Sequence, residues 1–568
     1  MNPGNMEMNS GADHHELLFN LSVSVYICIP EALSFPLKKM QLMVKLNKKE
    51  ESGTEGMLTQ PKMNDHQQNS PVWLRKGFPL LWFAIAGFII FGQTINFGYT
   101  YLDDQTLIMS NMENLKSFSY LTKAFSEDVF HTSSGRGFYY RPVLTLSFMV
   151  DAMVGKGSFA MFHFSNIIYH LLATFLLFLF FIEAGYDRIR SFLFSLLFLV
   201  HPMVVQAVAW VPGRNDTLLA IFIFASFIFW LKFLKNGNIL NVLLHLFFYL
   251  LALFTKENAV VLPFLIILYS ALVLHVPRRK YIVAGMAWII ITFVWGFIRY
   301  HALGGASEVT FSTQIISMVR NIPAVLPFLG KVIFPFDLSV FPILADMKIS
   351  MVLGIIALVV MGLVCRLSAR GQWTVCFFGF AWFLTFLIPS FVSINNQIPN
   401  FSEHRVYLSL AGLLLLFIQY RPAKTTVFYQ KVTAGALAAL LLLFSVLSFL
   451  HTRNFKDQFT FWQNAVDTSP SHAFNYNNLG AMYFLNDNLE QAEPLLRKAV
   501  QINPSEPMAN GNLGLIYMRT NRLAEAEKYY LEEIRINPAY DHVYYNLGLL
   551  YFNNSHTEEG IFQWEKTL

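Results

Sequence analysis

Cysteine is nearly absent. Cys28, Cys365 and Cys376 are the only three in 568 residues, and their spacing fits neither a zinc site nor a redox pair, so no disulfide framework is expected. Charge is scarce as well. Lys, Arg, Asp and Glu together make up 14% of the chain, where soluble domains carry about a quarter, and the mean hydropathy of +0.44 removes the soluble globular class. A net charge of +5 without a basic tract gives no footprint for nucleic acid. The run Leu21 to Ile29 is too short to span a bilayer and lacks a small-residue cleavage pattern, so it is not expected to act as a leader.

What the chain has in excess is apolar and aromatic. It is 55% hydrophobic, with 56 Phe and 24 Tyr, rings that fill both hydrocarbon and interface. Residues 1–72 are mixed and polar and read as disordered or as an upstream extension, with Met57 or Met63 as a possible true start. From Phe78 onward, apolar segments of bilayer length follow at short intervals. They fall near 78–98, 159–182, 191–210, 216–234, 239–255, 258–275, 281–300, 351–366, 374–393, 406–420 and 433–450, about eleven spans within 73–451. The stretch 319–336 is broken by Pro323, Pro327 and Pro335 and reads as a re-entrant or peripheral helix. Basic pairs alternate between ends: Arg75 and Lys76, Arg188 and Arg190, Lys232 and Lys235, Arg278 to Lys280, Arg366 and Arg370, Arg421 and Lys424. The positive-inside rule puts them in the cytoplasm. The polar loop 99–142, the segment His201 to Asp216, the loop 301–350, Glu403 to Arg405 and the C-terminal region then share the opposite face.

After the last span the composition turns soluble, and residues 452–568 match themselves at a shift of 34. Leu479-Gly480, Leu513-Gly514 and Leu547-Gly548 align, as do Tyr483, Tyr517 and Tyr551, then Ala492, Ala526 and Gly560, and Pro470, Pro504 and Pro538. This is the tetratricopeptide period, a stack of helix pairs. About three repeats are present, the last cut short at Leu568, and Phe455 to Pro470 reads as a lone helix leading into the first. The fold class is therefore all-α: a polytopic transmembrane helical bundle followed by a C-terminal tetratricopeptide solenoid.

The chemistry concentrates on the outer face. Asp103 and Asp104 lie at the mouth of the first span. One of them could simply cap the helix starting at Gln105; a pair can also take a proton from a hydroxyl, each acid raising the pKa of the other. Arg141, Arg214 and Arg405 sit on the side where the positive-inside rule disfavours arginine, and arginine is a bidentate partner for phosphate. Interfacial anchoring is the plain alternative. His163, Asn166 and His170 share one helix face, without an evident third metal ligand, and read as packing. Lys256-Glu257 reads as a local ion pair.

The ordered set LDD, YYRP, FHFSNIIYH, HPMVVQAVAWVPGRNDTLLA, Lys256-Glu257-Asn258, EHRVYLSLAG and the repeat tail resembles the transmembrane and tetratricopeptide repeat-containing glycosyltransferases and their bacterial relatives, within the C-type membrane glycosyltransferase superfamily. The resemblance covers about residues 78–568. It implies transfer of a sugar from a polyprenyl-phosphate carrier to an acceptor on the lumenal or periplasmic side, mannose to protein in eukaryotic members. It carries the acidic pair onto Asp103 and Asp104, the Tyr-Arg-Pro onto Tyr140 to Pro142 and the Glu-x-Arg onto Glu403 and Arg405. One position departs: many relatives have Glu where this chain has Gln206.

The expected enzyme is an inverting transferase with Asp103 or Asp104 as base. Tyr140, Arg141, His201, Arg214, Asp216, Glu403, His404 and Arg405 are the expected residues for the carrier phosphate or sugar, with no metal or cofactor demanded. The expected partners are the lipid-linked sugar, the bilayer and a protein or peptide acceptor held by the repeats. A bacterial inner membrane with periplasmic repeats is the expected location, an endoplasmic reticulum membrane with lumenal repeats the alternative. The rival function is a non-catalytic membrane-anchored scaffold.

Overall fold

In the computed structural model, the residues described are 74, 77–131, 139–304, 311–367, 373–392, 401–420 and 427–566. The disorder expected for 1–72, and the basic residues Arg75, Lys76, Arg370, Arg421 and Lys424, lie outside them.

Helices dominate because apolar backbone inside a bilayer must satisfy its own hydrogen bonds. Among the described residues, seven are long and apolar enough to cross a membrane: Phe78–Asn96, Phe159–Glu183, Val211–Asn236, Arg279–Ala302, Lys348–Leu367, Trp373–Phe391 and Lys431–Phe455. Two bent pairs raise the number to nine if each is one span. Arg188–Val200 and Pro202–Ala209 meet at 58°, and Ser312–Arg320 and Ile322–Ile333 at 43°; Pro202 and Pro323 stand at the breaks, where each ring removes a helical donor. The second pair is the helix expected to be re-entrant. Three of the eleven expected spans are shorter apolar helices, Ile239–Leu253, Leu262–Leu272 and Tyr407–Phe417. Polar residues cut them short: Lys256 and Glu257 interrupt the first two, and Glu403 to Arg405 precede the third. Irregular backbone at that depth is tolerated where it lines a polar cavity.

Outward faces are apolar. In Arg279–Ala302, Ile289 is 71% and Phe293 73% exposed, a surface that requires hydrocarbon and not water. The chain is a multi-pass membrane protein. Inside, small residues allow close crossings: a Cβ on Gly379 or Gly412 would collide with the other's carbonyl oxygen.

The last long helix passes through a turn, Arg453–Phe455, into Gln458–Thr468. Asp457 and Thr460 close a capping box at its start, supplying the first turn's unpaired donors. Three helix pairs follow: Ala473–Leu485 with Leu489–Ile502, Ala509–Arg519 with Leu523–Ile536, and Asp541–Asn553 with Thr557–Glu565. The 34-residue glycines have a packing cause. A Cβ on Gly480, Gly514 or Gly548 would strike Leu496, Tyr530 or Trp564 of the partner helix, so the period records one large side chain seated on one bare backbone per repeat.

Candidate active site

The acid loop leaves the first span and turns sharply at Tyr101, whose φ of 56° is strained for a bulky residue. The turn brings Thr100 over Asp104. The Thr100 N–H donates to Asp104 Oδ2 at 2.9 Å and its hydroxyl donates to the same oxygen. Asp104 makes no side-chain cap to Gln105–Met109, so it is not the cap of that helix. It is 1% exposed. Asp103 is half-buried. Burial, and then the Asp104 charge against the opposing Arg141, pushes the Asp103 carboxyl up to about 7. Burial pushes Asp104 up to about 6, against the hydrogen bonds from Thr100. The pair therefore ionises near neutrality, where a general base is most useful.

Cations stand around it. Arg141, half-buried just before Pro142–Val154, pairs with Glu257 Oε2 at 3.0 Å and lies 4.4 Å over the Tyr139 ring. Lys256 pairs instead with Asp216, at 2.7 and 2.9 Å. The adjacent residues Lys256 and Glu257, expected to pair with each other, thus reach to opposite walls, because extended backbone at Lys256 sends neighbouring side chains apart. Arg405 donates to Ser390 O at 2.9 Å and shares the electrostatic field of Tyr139 and Asp216. His404 packs 5.3 Å from the Trp210 ring. Burial, with Lys256, Arg405 and Arg141 nearby, holds its imidazole well below the usual range and so neutral. The Trp210 indole faces Asp104. His404 Nδ1 and Glu257 Oε1 are buried and without a hydrogen-bond partner among the described residues. Two such atoms beside one charged cluster make it the candidate place for polar ligand groups.

Other expected residues are spent on the scaffold. Arg214, expected at the phosphate, is fully buried: it pairs with Asp151 and donates to Asn166 Oδ1 at 2.7 Å, Phe162 O at 2.7 Å and Ser147 O at 3.3 Å. Each of its three nitrogens is engaged and the side chain is fully buried, so it belongs to the scaffold. His201 Nε2 donates to Val332 O at 2.9 Å and its Nδ1 accepts from Met203 N. Glu403 pairs with Lys331 at 2.9 Å, accepts from Ser339 N and lies 3.3 Å from His451. Tyr140, wholly buried, donates to Phe125 O at 2.8 Å and locks the loop. Asp216 reaches the cluster through Lys256. Asn166 also donates to Val208 O at 3.0 Å, and His170 bonds Tyr407 and Leu199 O, the packing use read from their shared face. Trp210 belongs to the cluster and carried no separate signal, although it lies in a segment that the motif set includes; Lys256 was read only as half of a local ion pair.

Gln206 bridges two segments of this scaffold, donating to Val340 O at 3.0 Å and accepting from His404 N at 3.1 Å. One donor and one acceptor suit an amide; a carboxylate supplies only the acceptor.

Comparison with known proteins agrees in kind. The tetratricopeptide repeat family matches residues 483–541. Protein O-mannosyl-transferase Tmtc1 of Drosophila melanogaster is 27% identical over 31% of this chain and 21% of its own length. Protein O-mannosyl-transferase Tmtc2 of the same fly is 27% identical over 32% and 19%, and human Protein O-mannosyl-transferase TMTC3 is 32% identical over 22% and 14%. The chain is therefore similar to protein O-mannosyl-transferases and carries tetratricopeptide repeats. It matches about a fifth or less of the length of these relatives. Among solved structures, the crystal structure of MamA is 22% identical over 25% of this chain and 94% of that one, at a TM-score of 0.19, too low to carry any argument.

Proposed function

We propose that the protein is a membrane glycosyltransferase that moves a mannose-like sugar from a polyprenyl-phosphate carrier to a protein hydroxyl on the extracytoplasmic face. The supporting observation is the convergence of Asp103 and Asp104 with Arg141, Arg405 and Lys256 around buried polar atoms without partners. The named activity of the relatives is consistent with it. Asp103 is the base in this reading: it is the more accessible acid and the one beside Arg141. It takes the acceptor hydroxyl proton as that oxygen bonds to the anomeric carbon. The bond from that carbon to the carrier phosphate breaks, its electron pair leaves with the phosphate, and a single displacement inverts the centre. Arg141, Arg405 and Lys256 offset the charge gathering on the departing phosphate. Phosphate leaves without much acid help, so one base and a cationic clamp suffice. The repeats, on the same face, present the acceptor.

The matched relatives are animal proteins, which favours an endoplasmic reticulum membrane with lumenal repeats over a bacterial inner membrane with periplasmic ones. The decisive experiment supplies purified protein in detergent with mannosyl polyprenyl phosphate and a Ser/Thr-rich peptide pool. Transfer by wild type that folded Asp103→Asn abolishes supports the enzyme. No transfer with any sugar or acceptor, and partner recruitment untouched by Asp103→Asn, would establish the scaffold instead.

A further inference from the structure

The lead helix of the repeat array reaches back into the acid loop. Trp462, wholly buried, donates its indole N–H to Thr100 O at 3.1 Å, and the Gly98 N–H donates to Lys456 O at 2.8 Å. Thr100 is the residue whose N–H and hydroxyl both hold Asp104 Oδ2. Next to it stands the strained Tyr101, a conformation that persists only where its surroundings over-determine it. The helix is gripped on a second side as well: Val340 N donates to Asn464 Oδ1 at 3.1 Å, Ser339 and Thr468 share a 2.6 Å hydroxyl bond, and the Ser471 hydroxyl donates to Asp346 at 2.7 Å. A tether would need no bond to the acid loop. This helix is wedged between that loop and the segment before Lys348–Leu367.

We infer that Trp462 is a positioning residue for the acid pair: its bond to Thr100 fixes the turn that aims Asp104, and through Asp104 the adjoining Asp103, so that seating the first repeat helix and assembling the acids are one event. The kinetic consequence rests on the glycosyl-transfer reading; the coupling itself does not. An acceptor that shifts the lead helix when it engages the repeats changes turnover and not only capture.

Trp462→Phe keeps the ring and removes the N–H, and Thr100→Val removes the hydroxyl held by Asp104. In the full chain in detergent, each lowers kcat about fivefold with acceptor KM unchanged, the size of one neutral hydrogen bond. The double variant loses no more than about tenfold, where independent sites would multiply to roughly 25-fold. Hydrogen–deuterium exchange quickens over residues 98–105 in Trp462→Phe while the repeat helices keep their protection. Unchanged exchange over 98–105, or multiplicative kinetics, overturns the inference. So does a raised acceptor KM with protection lost across the repeats, which would make Trp462 a holder of the array alone. Exchange is read without turnover, so a wild type that transfers no sugar defeats the transferase reading and leaves the coupling to be decided by exchange.

Discussion

Replacing the two aspartates separately distinguishes base from neighbour, and the pH profile carries the distinction. In wild type the pair ionises with Asp103 at about 7 and Asp104 at about 6, so kcat/KM rises with pH through 6 to 7: below this range the base is protonated and idle, above it free. A like charge on a neighbouring carboxyl raises a pKa by roughly one to two units. Asp104→Asn removes that repulsion and leaves burial, the larger cause, in place. The acid limb therefore moves to lower pH by up to about two units, while turnover at pH 8 falls only modestly because a weaker base gives less driving force. Asp103→Asn removes the base and lowers kcat/KM by about 100- to 10,000-fold at every pH, roughly 3–5 kcal/mol. The assay is mass-spectrometric sugar transfer to a Ser/Thr peptide from pH 5 to 9. A flat profile with both variants near wild-type rates refutes the reasoning; the inverse pattern assigns the base to Asp104.

Arg141→Ala leaves Glu257 without its ion-pair partner and removes the proposed phosphate partner, so kcat falls at least tenfold, and Arg141→Lys restores only part because an ammonium cannot form the fork; steady-state kinetics against the lipid-linked sugar checks both. Arg214→Met strands Asp151 among buried neighbours and lowers stability by about 3–5 kcal/mol, read as thermal unfolding in detergent, with Arg214→Met/Asp151→Leu recovering much of it. Gln206→Glu gives up its bond to Val340 O and sets two acceptors face to face; the melting temperature falls by an amount corresponding to about 1–3 kcal/mol, and activity does not rise. A gain in activity would give that position a chemical role. Gly514→Leu drives a side chain into Tyr530 and costs about 1–3 kcal/mol, seen as early melting of the repeats with the bundle intact.

Local pattern was enough wherever one residue's environment repeats or lies next to it in the chain. Hydrophobic length fixes the long spans, and the proline break at 323 is written in place, whereas Pro202 bends by 58° a stretch that reads as one span, 191–210. The Leu-Gly period is legible because each glycine faces a partner helix a fixed distance along the same chain. Asp103 and Asp104 were legible as a pair at a span mouth. The sequence could not sort the arginines: Arg141, Arg214 and Arg405 are one residue type on one face, and only packing decides that Arg214 is walled in by Asp151, Asn166 and Phe162 while Arg141 stands at the acids. Adjacency likewise suggested a Lys256–Glu257 pair, whereas alternation along extended backbone sends the two to Asp216 and Arg141.

Sequence alone determined the membrane class, the helical repeats and the acid pair, since each depends on composition or spacing within a segment. Tertiary structure decided which charges are scaffold and which line the site, and it alone joined Trp462 to Thr100 across 362 positions. The physical reason is that burial and hydrogen-bond partnership belong to the packed chain: a side chain's chemistry is set by what remains unpaired once its neighbours have arrived.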